Sequence, residues 1–129
     1  MNSTKISLAI LVLAAALASH ADESLPNDEM QQIQGDELKF LVSECESCHG
    51  KNGVSQNAAI PSLAGKSADY ILKSVEQFYF YERHCPNAEV KGAGPKSGAR
   101  NMCDVADRLT KQEVQALGAY FESQKPAAD

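Results

Sequence analysis

The sequence predicts a small all-α domain, and three observations support this fold class. Apolar side chains recur at i, i+3 and i+4 in several segments, which is the spacing of helices that bury one face. No segment shows the alternating pattern of a strand packed on one side. The chain has 129 residues, a length that suits one small domain at most. Its net charge of −5 argues against binding nucleic acid through phosphate neutralisation.

Residues 1–21 are predicted to be a secretory signal peptide. Lys5 precedes a short apolar run from Ile6 to Leu17, and Ser19-His20-Ala21 places small residues at the two positions that signal peptidase reads. We expect cleavage directly after Ala21, export to the periplasm and no stable membrane insertion afterwards, with an uncleaved anchor as the alternative. The polar residues 22–34 are predicted to form a disordered leader.

The first helix of the domain is predicted to begin near Gly35. Leu38, Leu41 and Val42 follow the spacing of one amphipathic helical face. This helix is expected to run into a pair of cysteines. The stretch over residues 50–65 then loses all apolar periodicity and carries the turn residues Gly and Asn together with Pro61, so it is predicted to be an irregular loop.

A second helix is predicted from Ala68 to about Arg83. Ser67 is a suitable N-cap, and apolar side chains share one face of the segment. Pro86 is expected to end this helix, because proline cannot continue a helical hydrogen-bond ladder. The stretch that follows, to Gly98, is predicted to be a surface loop.

A short helical segment and a final helix complete the predicted fold. Residues 101–109 carry apolar side chains at helical spacing. Thr110 to Glu113 forms a capping box that opens the last helix, and Pro126 is expected to stop it. Residues 126–129 are predicted to be a disordered tail.

The strongest motif is Cys45-Glu46-Ser47-Cys48-His49, a pattern typical of c-type haem attachment. Cysteines at i and i+3 on one helical turn point the same way, so both can form thioethers along one porphyrin edge. The imidazole that follows lies where it can bind the iron. We therefore predict one covalently bound haem c, attached through Cys45 and Cys48 and ligated by His49.

The second axial ligand must come from elsewhere in the chain. After signal cleavage the candidates are Met30, Met102 and His84. Met30 lies in the polar leader, whereas Met102 has apolar neighbours just ahead of the last helix. We choose Met102 and keep His84 as the alternative. The second nitrogen of a ligating imidazole needs a hydrogen-bond partner, and the carbonyl of Pro61 is the best candidate for His49.

Ligation by histidine and methionine predicts a one-electron carrier rather than an enzyme. A thioether raises the reduction potential relative to a second imidazole, and two protein ligands leave no coordination position for a substrate. The expected partners are redox proteins, a flavoprotein or a terminal oxidase among them. The alternative is an enzyme, a peroxidase or a sulfur-converting subunit, whose sixth ligand is labile.

These motifs resemble class I cytochrome c, in particular its periplasmic cytochrome c553-like and c4-like branch. The resemblance covers about Leu38 to Gln124. It is carried by the following stretches: Cys45-Glu46-Ser47-Cys48-His49-Gly50, Gly53, Pro61-Ser62-Leu63-Ala64-Gly65-Lys66, Tyr70 to Arg83, Asn101-Met102 and Leu117-Gly118-Ala119-Tyr120-Phe121. It implies a monohaem domain over residues 35–125, wrapped around its covalently attached haem, with first and last helices that cross. The site residues it implies are thioethers at Cys45 and Cys48, axial His49 and Met102, and a Pro61 carbonyl bonded to His49.

The stretch from Phe78 to Met102 is also similar to the haem subunit of flavocytochrome c sulfide dehydrogenase. That similarity implies an alternative function, in which the chain is the haem electron-transfer subunit of a sulfur-oxidising enzyme.

Cys85 and Cys103 are the two remaining cysteines, and they enclose 17 residues. In an exported chain two spare thiols predict a disulfide, which here would help hold Met102 on the iron. The alternative is a redox-active pair that handles a sulfur substrate. A Cys₄ zinc site is disfavoured because this pair lacks knuckle spacing and zinc does not explain His49. A thioredoxin-like site is disfavoured because no βαβ pattern is present.

Overall fold

The computed structural model describes residues 33–90 and 94–126. The predicted signal peptide, residues 22–32 of the predicted leader and residues 127–129 of the predicted tail lie outside the described residues. Every regular element in the described ranges is a helix, so the all-α prediction is confirmed. Among these residues no helix has the length and apolar character needed to cross a membrane.

The helices follow one another along the chain as α1 Gly35–His49, α2 Ala68–Tyr79, α3 Met102–Ala106 and α4 Lys111–Glu122, with a 3₁₀ turn at Lys51–Gly53 after α1. Helix α2 packs against α3 and α4, and α1 packs against α4. The first and last helices are therefore in contact.

Helix α1 ends directly after the CxxCH motif. Gly50 follows it with a φ of 79°, in the left-handed region that favours glycine. A Cβ atom at Gly50 would overlap the carbonyl oxygen of Val54. The close return of the chain here requires a residue without a side chain, and it places His49 at the very end of the helix.

Helix α2 is shorter than the sequence predicted. It ends at Tyr79 rather than near Arg83. Tyr81 adopts a φ of 56°, the left-handed conformation that commonly ends helices. The chain has left the helix well before Pro86, so the prediction that this proline ends α2 was wrong.

The capping box predicted for the last helix is confirmed. The hydroxyl oxygen of Thr110 accepts the N–H of Glu113 at 3.2 Å, and the carboxylate of Glu113 accepts the N–H of Thr110 at 2.6 Å. Two amide groups at the start of α4 are thereby satisfied, which fixes where the helix begins.

The core lies where α1, α2 and α4 meet. Its buried side chains are Leu41, Val42, Ile71, Leu117 and Phe121. Phe121 is fully buried. Helices α2 and α4 approach closely at Gly118, where a Cβ atom would lie 3.1 Å from Cα of Ala68.

The core also fixes the loop between α1 and α2. The N–H of Gly65 donates to the carbonyl of Phe121 at 2.9 Å, and the N–H of Leu63 donates to the carbonyl of Gly53 at 2.8 Å. A Cβ atom at Gly53 would lie 2.7 Å from the Phe121 ring. The loop is therefore seated on the end of α4, and it carries Pro61 between its anchored positions.

Candidate haem-binding site

The last turn of α1 presents both thiols of the CxxCH motif. Cys45 and Cys48 are free cysteines and partly buried. Because they are three positions apart on one helix, their side chains lie on the same face. His49 is the final residue of α1 and is 6% exposed, so the motif ends on a buried imidazole.

The imidazole of His49 is oriented by the loop that carries Pro61. Its Nδ1 lies 2.7 Å from the carbonyl oxygen of Pro61. A carbonyl can only accept a hydrogen bond, so Nδ1 carries the proton and Nε2 keeps its lone pair. Burial lowers the pKa of His49, and the bond to Pro61 offsets this only in part. The ring is therefore neutral near pH 7, which is the form that binds iron.

The Cys45 thiol lacks the environment of an activated nucleophile. Burial, together with the nearby carboxylates of Glu44 and Glu46, raises the pKa of the Cys45 thiol to about 12. Both cysteines lie at the C-terminal end of α1, where the helix dipole disfavours an anion. Thioredoxin-like sites need the opposite environment, a helix N-terminus that stabilises a thiolate.

These residues fit a covalently held haem. Two free thiols on one helical face and an adjacent imidazole with Nε2 available form the donor set that c-type attachment requires. In this arrangement Cys45 and Cys48 would hold the porphyrin edge and His49 would ligate the iron, with its ring orientation set by Pro61.

Met102, the residue chosen as second axial ligand, is the first residue of α3 and is partly buried. It is close to His49 in the structure. The side chain of Asn101 caps α3 by accepting the N–H of Asp104 at 3.0 Å, and the Asp104 carboxylate accepts the N–H of Arg100 at 2.9 Å. These two hydrogen bonds hold the backbone on both sides of Met102 in place.

Cys85 and Cys103 form a disulfide in the structure, with their Cα atoms 5.9 Å apart. Cys103 is 5% exposed and directly follows Met102. The bond ties the start of α3 to the segment after α2. His84, the alternative ligand, is exposed and lines an open groove beside the disulfide.

The disulfide bears on two alternative interpretations. A Cys₄ zinc site would need four thiolates, but the sulfurs of Cys85 and Cys103 are bonded to each other. A pair that exchanges with a sulfur substrate needs access for an attacking thiolate. Cys103 is buried, whereas Cys85 is partly exposed beside the open groove. The structural role of the disulfide is a prediction, tested by the stability of a variant that lacks it.

Removing the disulfide should destabilise the domain. For a loop of this length, a Cys85→Ala/Cys103→Ala variant should lose on the order of 3 kcal/mol in the free energy of unfolding. Denaturant unfolding of the ferrous protein, with and without thiol reductant, measures the difference. When reductant is present, the free energy of unfolding of wild type should fall towards that of the variant. Equal stability of wild type and variant in the absence of reductant would contradict the prediction.

Glu44 makes a contact near the motif that sequence reasoning missed. Its two carboxylate oxygens accept the N–H groups of Lys96 and Ser97, each at 2.8 Å. Burial alone would raise the pKa of Glu44, but the hydrogen bonds from Ser97 and Lys96 outweigh it, and the pKa lies below its ordinary value. Nothing in the local sequence around Glu44 indicates that its partners lie more than 50 positions away.

A helical domain with two thiols and a buried, oriented imidazole in a CxxCH motif defines a c-type cytochrome domain. The family model described as cytochrome c matches residues 34–125. The chain therefore belongs to the cytochrome c family. This family implies covalently bound haem c, and Cys45 and Cys48 are positioned for its attachment.

Three relatives illustrate the similarity. Cytochrome c4 of Azotobacter vinelandii is 32% identical over 85 residues, which is 64% of this chain and 37% of that protein. Cytochrome c4 of Stutzerimonas stutzeri is 34% identical over 84 residues, 65% of this chain and 38% of that protein. A protein named thiosulfate dehydrogenase electron acceptor, from Stutzerimonas stutzeri strain A1501, is 31% identical over 80 residues, 62% of this chain and 32% of that protein.

The chain spans less than two fifths of the length of the two cytochromes c4. No solved structure matches this chain significantly.

Proposed function

We propose that this protein is a periplasmic one-electron carrier with a single haem c. Cys45 and Cys48 hold the haem covalently, and His49 and Met102 ligate its iron. The observation that carries the proposal is the orientation of the buried His49 by the Pro61 carbonyl at 2.7 Å, at the end of the helix that presents both thiols. Similarity to cytochromes c4 supports the same function.

The ligand pair explains why transfer of single electrons is the expected chemistry. A haem iron bound by imidazole and thioether supplies a ferric–ferrous couple of raised potential. Pro61 fixes the orientation and basicity of His49. The disulfide and the Asn101 cap restrict the backbone on either side of Met102. The residues thus hold both ligands in place, and electrons reach redox partner proteins without a substrate bound at the iron.

A second candidate function is that of an electron acceptor for a sulfur-oxidising dehydrogenase. It is supported by the 31% identity with a protein named thiosulfate dehydrogenase electron acceptor. This candidate keeps the same haem chemistry and differs in its donor, which would be a dehydrogenase that oxidises a sulfur compound.

Carbon monoxide binding tests the carrier proposal. The reduced protein at neutral pH should show no change in its visible spectrum under carbon monoxide, because both axial positions are filled. The control is the same protein unfolded in guanidinium, in which Met102 is released and the gas binds. Rapid binding by the folded protein would instead favour an enzyme with a labile sixth ligand.

A further inference from the structure

The contact of Glu44 joins the haem-attachment helix to a turn in the segment that leads to Met102. The turn spans residues 95–98 and is closed by the N–H of Gly98, which donates to the carbonyl of Pro95 at 3.0 Å. Within the turn, Lys96 and Ser97 each give an N–H to one carboxylate oxygen of Glu44. Both oxygens of the carboxylate are therefore engaged by the same turn.

The same turn is held from a second direction. Nη1 of Arg108 donates to the carbonyl of Ser97 at 2.7 Å. Directly after the turn, Ala99 is 7% exposed, so the chain enters the interior before it reaches Met102. The position of the turn thus determines the path by which the backbone arrives at α3.

Three contacts restrain the backbone near Met102, and each connects it to a different part of the fold. The Asn101 cap acts within α3. The disulfide between Cys85 and Cys103 ties α3 to the segment after α2. The Glu44 carboxylate reaches across to α1, the helix that carries both thiols and His49. It joins the segment that leads to Met102 to the helix that carries His49.

We propose that Glu44 is a positioning residue that holds the Met102-bearing segment against the haem-attachment helix and so keeps the thioether on the iron. This inference rests on the proposed ligation by Met102. Hydrogen bonds to an ionised acceptor are the strong kind, and Glu44 is held ionised because its pKa lies below the ordinary value. Neither Glu44 nor the turn needs to contact the haem for this effect.

The consequence is a change in how often the thioether leaves the iron. An external ligand such as imidazole binds ferric iron only when Met102 is displaced, so its apparent affinity scales with the displaced fraction. Loss of the Glu44 contact raises that fraction. The readout is therefore a ligand-binding equilibrium at the iron and not the overall stability of the domain.

The test compares imidazole binding to ferric wild type and to Glu44→Ala and Glu44→Gln variants, followed by visible spectroscopy. Because hydrogen bonds to a charged group are lost, Glu44→Ala should bind imidazole about tenfold more tightly or better. Glu44→Gln should show a smaller increase, because its amide oxygen still accepts one N–H while its NH₂ group faces the other. Arg108→Ala, which removes the hydrogen bond to the Ser97 carbonyl, should also increase the affinity for imidazole.

Two controls separate positioning from general effects. Glu37→Ala removes the same charge from the exposed first turn of α1 and should bind imidazole like wild type. Thr110→Ala removes the cap of α4 and lowers the stability of the domain without touching the turn. It should leave the imidazole affinity within about twofold of wild type, since the Met102 segment keeps its contacts.

Different results would contradict the role of Glu44 and the proposed carrier function. If wild type shows sulfur–iron ligation and the Glu44 and Arg108 variants bind imidazole no more tightly, the inference is overturned and the carrier proposal stands. If Thr110→Ala increased the imidazole affinity as much as Glu44→Ala does, the positioning role of Glu44 would also be overturned. Absence of sulfur–iron ligation in wild type would remove the proposed function itself.

Discussion

Replacing both Cys45 and Cys48 with alanine should yield a protein that retains no haem under denaturing conditions. The two thioethers are the covalent links that the attachment motif provides, and in their absence axial ligation does not survive unfolding. Haem staining of a denaturing gel measures the effect, which should be a complete loss of signal. Each single variant keeps one thiol and should retain stain at reduced intensity.

The chain provides a matched control for this experiment. The Cys85→Ala/Cys103→Ala variant also lacks two cysteines, but these are the ones joined in the disulfide. It should stain like wild type, because its attachment motif is intact. Undiminished staining of the Cys45→Ala/Cys48→Ala variant would show that the haem is held elsewhere or that the stain reports another cofactor.

The Met102→Ala variant should have a markedly lower reduction potential. A soft thioether favours ferrous iron, and axial ligands set haem potentials over a range of about 0.8 V, so a fall of more than about 100 mV is expected. The opened position should also admit carbon monoxide at neutral pH. Potentiometric titration and the visible spectrum under carbon monoxide measure the two effects.

Two further variants control the ligand assignment. Met30→Ala removes the other candidate methionine and should leave the potential and spectrum unchanged. His84→Ala tests the alternative ligand, which the structure places in an exposed position. If Met102→Ala has the spectrum of wild type while His84→Ala changes it, the sixth ligand is His84.

Local sequence signals predicted the parts of the fold that depend on neighbouring residues. The capping box at Thr110 requires partners three positions apart, and its effect on the start of α4 followed directly. Ser67 likewise caps α2 by accepting the N–H of Tyr70. The CxxCH motif at the end of α1 is equally local, because the cysteines and the histidine belong to one helical turn.

Other features depend on contacts that no local pattern encodes. The early end of α2 involves a left-handed Tyr81, whose hydroxyl donates to the carboxylate of Asp107 at 3.2 Å. That partner is 26 positions away, so periodicity and the position of Pro86 were misleading. The contact of Glu44 with Lys96 spans 52 positions, and only the folded chain shows it.

The candidate site falls between these two cases. The hydrogen bond between His49 and Pro61 joins residues 12 positions apart, and the expected path of the loop under His49 indicated which carbonyl was available. The choice of Met102 came from eliminating other donors, and it remains a proposal. Few side chains can ligate haem iron, and this limit narrowed the choice of the sixth ligand. Hydrophobic periodicity gave no information about that ligand.

The seating of the Pro61 loop on the C-terminal helix has a consequence for proteolysis. Gly65 is bonded to the carbonyl of Phe121, and Gly53 lies against the Phe121 ring. Cleavage within α4 before Phe121 would remove the support of the loop that orients His49. Damage to this helix would therefore change the environment of the proposed iron ligand, and it would be visible as a change in colour while the thioethers still hold the haem.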